Sequence, residues 1–136
     1  MWGYLKYLGP YLISYYSKVQ NHVATSSSHA ELCEISRGSR NALFLKNFLE
    51  DMGFMQDSIE VHTDSLSAIN ATAKLTTSDA AKHYAVLINE VREYRENEMI
   101  VLKKAIGEDN VADLMTNQRG KVKFQHLVNL MHNPLW

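Results

Sequence analysis

The sequence predicts a mixed α/β domain, and three observations predict it. Two aromatic and β-branched runs flank Gly9-Pro10, as strands flank a tight turn. Two longer stretches repeat apolar residues at steps of three and four, the period of an amphipathic helix. Short apolar runs at residues 58–63 and 99–105 alternate with those helical stretches, which is the order of an α/β or α+β layout with a mixed sheet.

Taken in order, Trp2 to Leu8 and Tyr11 to Ser17 form the hairpin. Ser26-Ser27-Ser28 then breaks the strand pattern and offers a helix N-cap. Leu32, Ile35, Ser39, Ala42, Leu45, Leu49 and Met52 make the stripe of a long helix, and Gly53 closes it. Ser58 to Thr63 is a short strand with Ile59 and Val61 on one face. Asp64 to Leu75 reads as a helix that ends in Thr76-Thr77-Ser78-Asp79. The next helix carries Tyr84, Leu87, Ile88, Val91 and Tyr94 on its buried stripe, and Arg92, Glu93, Arg95 and Glu96 on a solvated face. Met99 to Ala105 is a strand, Gly107-Glu108-Asp109 turns into a short helix from Asn110, and Lys123 to Met131 forms a last helical segment. With no repeat, linker or low-complexity stretch, residues 1–136 read as one domain.

Composition bounds the function classes. In 136 residues, 46% apolar and 21% charged, there is enough apolar surface for a packed core. The formal net charge is −1, so no overall positive field draws the chain to nucleic acid. Lys103-Lys104 and the set Arg119, Lys121 and Lys123 are local basic runs, of the kind that solvated surfaces carry. One cysteine, Cys33, excludes an internal disulfide and a multi-cysteine zinc site. His22 and His29 do not make a persuasive zinc spacing. Met1 to Tyr16 is too short to span a bilayer and is interrupted by Lys6, Gly9 and Pro10; it also lacks the basic leader and cleavage site of a signal peptide. No membrane partner is expected.

Chemistry concentrates in three carboxylates, Glu31, Asp64 and Asp113, each at the start of a predicted helix. Singly, each reads as capping. Ser28 to Glu31 is a capping box, Asp64 suits the N-cap of a helix beginning at Ser65, and Asn110 with Asp113 repeats the pattern. Together they are the residue type that phosphodiester hydrolysis by two metal ions demands, since several carboxylates must converge on ions about 3.5–4 Å apart. Magnesium suits such oxygen donors.

Five short blocks then carry a resemblance. Ser17-Lys18-Val19-Gln20, Ser27-Ser28-His29-Ala30-Glu31, Asp64-Ser65-Leu66-Ser67-Ala68-Ile69, Lys82-His83 and Ala112-Asp113-Leu114-Met115-Thr116 follow one another with plausible spacing. In this order they resemble the ribonuclease H domain of copia-type retrotransposon Pol polyproteins, over roughly residues 2–131. The resemblance implies an RNase H-like fold and cleavage of the RNA strand of an RNA–DNA hybrid. It implies Glu31, Asp64 and Asp113 as catalytic metal ligands for Mg2+, and a setting in the cytoplasm or nucleus within the parent element's virus-like particle.

Departures from that pattern shape the expectation further. The family's first acid lies on a strand upstream of the hairpin, and no Asp or Glu precedes Glu31 here. The expectation is therefore a truncated RNase H-like fold lacking its first, central strand, with the isolated chain inactive. A strand donor from the upstream reverse transcriptase region would complete the sheet. Ala80-Ala81 and Asn117 also stand where the family carries an arginine and a lysine, which removes positive charge near a nucleic-acid backbone. Two other readings stand beside the enzyme: a non-catalytic RNase H-like binding or assembly module, and a transposon relic with no selected function.

Overall fold

Gly9 supplies the positive φ of +56° that the first turn needs, and the chain doubles back there. β1 (Trp2–Leu8) pairs antiparallel with β2 (Tyr11–Lys18). The register aligns Tyr4 with Tyr16 and shifts between Lys6 and Tyr7, stepping over Ile13. Tyr4 and Tyr16 stack with ring centroids 5.2 Å apart, and the Lys6 ammonium lies 5.9 Å from the Tyr4 ring. The two rings form a cross-strand aromatic pair that ties β1 to β2.

These features come from a computed structural model of the chain, which describes residues 2–18, 27–73, 84–105, 107–116 and 120–134. The remaining elements are α1 (Ser27–Asp51), β3 (Ile59–Thr63), α2 (Leu66–Ala73), α3 (Ala85–Glu96), β4 (Ile100–Lys104), α4 (Asp113–Thr116) and α5 (Lys121–His132). The mixed α/β class is as expected. Among the described residues its strands form two separate two-stranded sheets, one antiparallel and one parallel. No helix among them is long and apolar enough to cross a membrane.

The chain divides into two compact units. One comprises residues 1–23 and 105–136, the hairpin with α4 and α5. Its close packing is written in Gly3, where an added Cβ would fall on the Met115 side chain and 3.0 Å from Thr116 Cγ2. Ser17 Oγ donates to the Met115 carbonyl at 2.6 Å, and the Tyr7 hydroxyl donates to the Met131 carbonyl at 3.1 Å. Val111 and Leu127 are buried.

The other unit, residues 24–104, is built on the parallel pair β3–β4, in register Ile59 with Ile100 through Thr63 with Lys104. Parallel neighbours need a crossover, and here it contains α2 and α3. Leu32, Ile35 and Leu43 of α1, Ala68 of α2, Ile88 and Val91 of α3 and Ile100 of β4 form the core, with Ile59, Val61, Tyr84 and Tyr94 packed against it.

Two expectations for this unit need correction. The α1 stripe was read through Ala42 to Met52, but Leu43 is the buried residue and Met52 is exposed. Steps of mostly three fall short of the 3.6-residue turn, so the far end of that stripe rotates off the core. Nor are Arg92 and Arg95 simply solvated. Arg95 donates to the Ile69 carbonyl at 3.1 Å and to Thr72 Oγ1 at 2.8 Å, and Arg92 reaches the Ala71 carbonyl at 3.5 Å. Acceptors in the C-terminal half of α2, the Ile69 and Ala71 carbonyls and Thr72 Oγ1, draw both guanidinium groups in. Glu93 and Glu96 are exposed as expected.

Gly53 ends α1 with φ +89°: its N–H donates to the Glu50 carbonyl at 2.8 Å, and the Phe54 N–H to the Leu49 carbonyl at 2.9 Å. This is the Schellman pattern that glycine favours.

Candidate functional site

Asp64 follows the last residue of β3, at the carboxyl end of a parallel strand, where α/β proteins place ligand-handling groups. It does not cap α2. Ser65 does, accepting the Ala68 N–H on its hydroxyl oxygen at 3.2 Å, while Thr63 Oγ1 accepts the Ser65 N–H at 3.2 Å. The cap belongs to Ser65 because its short side chain reaches the third N–H of the helix. The Asp64 carboxylate is left on the exposed surface, outside the cap.

The buried Ser65 hydroxyl also donates to Glu31 Oε2, joining the start of α1 to the start of α2. Glu31 is therefore held by a contact 34 positions away in sequence rather than only by its own helix end. The other half of its expected capping box, the Ser28 side chain, lies outside the described side chains. Sequence reasoning missed two members of this cluster, Ser65 and Glu34. Glu34 stands one turn after Glu31 on α1, and its carboxyl is pushed up to about 7, by burial first and then by the negative charges of Glu31 and Asp64. The signal was available: acids at i and i+3 share a helix face.

Asp113 opens α4 in the other unit and is buried. The expected capping box is replaced by a turn that leads into α4 at Asp113: the Asn110 carbonyl accepts the Asp113 N–H at 3.0 Å, and its side-chain Oδ1 accepts the Ala112 N–H at 3.2 Å. Lys123 Nζ sits 3.6 Å from Asp113 Oδ2, so a cation already faces this carboxylate. Glu31 and Asp64 thus share one unit and Asp113 belongs to the other. Among the described residues no three His, Cys, Asp or Glu side chains form a metal-ligand group.

Other residues singled out in the sequence have local partners. Lys103 donates to Glu60 Oε1 across the β3–β4 ladder at 2.5 Å, as suits a surface run. His29 stacks on Tyr84 at a centroid distance of 5.2 Å. Cys33 is half-buried, and burial raises its thiol pKa, as for a small packing residue. Lys82-His83, His22 and Arg119 lie outside the described residues.

A helix–strand frame with carboxylates at its strand end defines a class, and comparison with known proteins gives the kinship. The chain is a homologue of a segment of retrovirus-related Pol polyproteins from copia-type transposons. It is 31% identical over 123 residues to the retrovirus-related Pol polyprotein from transposon TNT 1-94 of Nicotiana tabacum, covering 90% of this chain and 9% of that protein. Identities of 26% and 24% link it to the corresponding polyproteins from transposons RE2 and RE1 of Arabidopsis thaliana, over 91% and 93% of this chain and 9% of each relative. The chain thus spans about a tenth of the length of these relatives. No family model matches it, and no solved structure does. The kinship with copia-type Pol polyproteins read from the five blocks is borne out.

Proposed function

We propose that this chain is a ribonuclease H-like segment of a retrotransposon polyprotein, serving cleavage of the RNA strand of RNA–DNA hybrids. On the resemblance, Glu31, Asp64 and Asp113 are its metal-binding carboxylates, of which Glu31 and Asp64 share one unit. The observation that carries the reading is the Glu31–Ser65 hydrogen bond, which brings two of the sequence blocks together at the end of β3. Charge supports it as well: Glu31, Asp64 and the protonation-prone Glu34 form a field that a hard divalent cation relieves.

The donor set fits Mg2+, since all the oxygens are carboxylate or hydroxyl and Asp64 is open to solvent. When bound, such ions activate water and stabilise the leaving oxygen in phosphodiester hydrolysis. The chain's own part is to hold the carboxylates in place. Ser65 orients Glu31 and caps α2, which leaves Asp64 outside the cap. The Lys123 ammonium stands 3.6 Å from Asp113 Oδ2 and fixes where that side chain points.

The test follows the melting of the purified chain with and without Mg2+. It then follows cleavage of a hybrid labelled on its RNA strand, by the chain alone and joined to the reverse transcriptase region of its parent polyprotein. Mg2+ is expected to raise the midpoint of the wild type and not of Asp64→Asn. RNA cleavage is expected in the joined form and lost with the same substitution. No Mg2+ response together with an inert joined form would refute the enzyme reading.

A non-catalytic reading draws on the sheets themselves. Each has only two strands among the described residues, so each presents edges that an extended segment could join. It requires that a strand-donor peptide bind wild type and Asp64→Asn equally. Such binding without hybrid cleavage would favour it.

A further inference from the structure

The C-terminal half of α1 exposes large apolar side chains that neither the core nor the carboxylate cluster uses. Phe44 is 75% exposed, Phe48 51% and Met52 49%, and their spacing of four places them on one helix face. Phe54, 62% exposed, is turned back to the last helical turn by the Gly53 closure, and Met55, 81% exposed, follows it. The loop is held beside the helix by Lys46, whose ammonium donates to the Gln56 and Asp57 carbonyls at 2.6 and 2.9 Å. The patch therefore stands on a fixed frame.

Charge brackets this face. Arg37 and Arg40 lie toward its N-terminal side and Asp51 toward its C-terminal side; Arg40 pairs through Nε with Glu90 of its own chain at 3.1 Å and through Nη2 with Ser36 at 3.2 Å, but Arg40 and Asp51 are both exposed. If a second α1 is laid antiparallel across it, Phe44 meets Phe48 of the other copy, and Arg40 meets the other copy's Asp51. The same pairs repeat on the other side of the two-fold axis. A face with this order of charges complements itself, which is the requirement of an isologous dimer.

Area agrees with this occupant. At about 200 Å² for each side chain of this size, the five residues offer roughly 600 Å² per copy. A two-fold contact would bury about 1,200 Å², the lower end of the range for specific, stable interfaces. We infer that α1 and the loop after it form a homodimer interface, centred on Phe44 and Phe48, with a second copy of this chain as the partner.

Sedimentation equilibrium across a concentration series, from low micromolar to a few hundred micromolar, tests it. The wild type is expected to pass from monomer to dimer in that range. A double variant, Phe44→Ser with Phe48→Ser, is expected to weaken the dimer at least about a hundredfold, with an unchanged thermal melt because both side chains are exposed. Asp51→Arg and Arg40→Asp are each expected to weaken it about tenfold, and mixing the two to restore it, since only the mixed dimer pairs opposite charges at both ends. A wild type that stays monomeric throughout, or a dimer that survives the double phenylalanine change, would overturn the inference. Monomeric behaviour would direct the patch to another region of the parent polyprotein.

Discussion

Glu34→Gln isolates the electrostatics of the carboxylate cluster. The Glu34 carboxyl moves from an ordinary 4.5 to about 7 when the chain folds, because it is buried and because Glu31 and Asp64 stand near it. The folded state thus holds the proton more tightly than the unfolded one. Stability is fully retained below about pH 4.5, falls as pH rises toward 7, and levels off above that. A displacement of this size corresponds to about 3 kcal/mol at most. Glu34 is only partly buried, and solvent screening reduces the figure to about 1–2 kcal/mol. Urea denaturation from about pH 4 to pH 8, on wild type and Glu34→Gln, measures it. The variant is expected to match the wild type near the acid end and to exceed it by about 1–2 kcal/mol at the alkaline end. Stability curves that run parallel across the whole range would refute the reasoning, since they would mean that Glu34 folds without a raised pKa.

Three further substitutions probe the frame. Ser65→Ala removes both the α2 cap and the Glu31 hydrogen bond, and denaturation is expected to show a loss of about 1–2 kcal/mol. Arg95→Ala removes the guanidinium that the Ile69 carbonyl and Thr72 Oγ1 accept from, leaving them the Thr72 hydroxyl bonds within α2; a loss of about 1 kcal/mol is expected, and Arg95→Lys is expected not to restore it, because an ammonium lacks the guanidinium fork. Gly3→Ala forces a methyl group onto Met115, so a melt is expected to report destabilisation of about 1–3 kcal/mol. A melt unchanged by Gly3→Ala would mean that α4 does not pack on β1 as described.

Much of the secondary structure was legible because it rests on local rules. The Gly9-Pro10 turn, the serine-led start of α1, the Gly53 stop and the short strand at Ile59 are written in residues within a few positions of one another. The burial phase of α1 was less legible, since a run of apolar residues longer than one face does not reveal which face wins. Arg92 and Arg95 were misread for a related reason. Periodicity places them outside the apolar stripe of α3, but says nothing of the acceptors that the C-terminal half of α2 presents to them.

The candidate site divides in the same way. Glu31, Asp64 and Asp113 stood out in the sequence because an ordered set of blocks carries them, and the kinship with retrotransposon Pol polyproteins rests on that order. Ser65, Glu34 and Lys123 did not stand out, for each gains its meaning from a partner. Ser65 matters through a glutamate 34 positions earlier, and Glu34 through charges that only folding brings near. Lys123 matters through an aspartate on a neighbouring helix. Sequence by itself determined the turns, the helix ends, the apolar periods and the family, because local sterics and residue order act along the chain. Tertiary structure alone decided which face of α1 is buried, which hydroxyl caps α2 and which carboxylates feel one another, because burial and charge act through space.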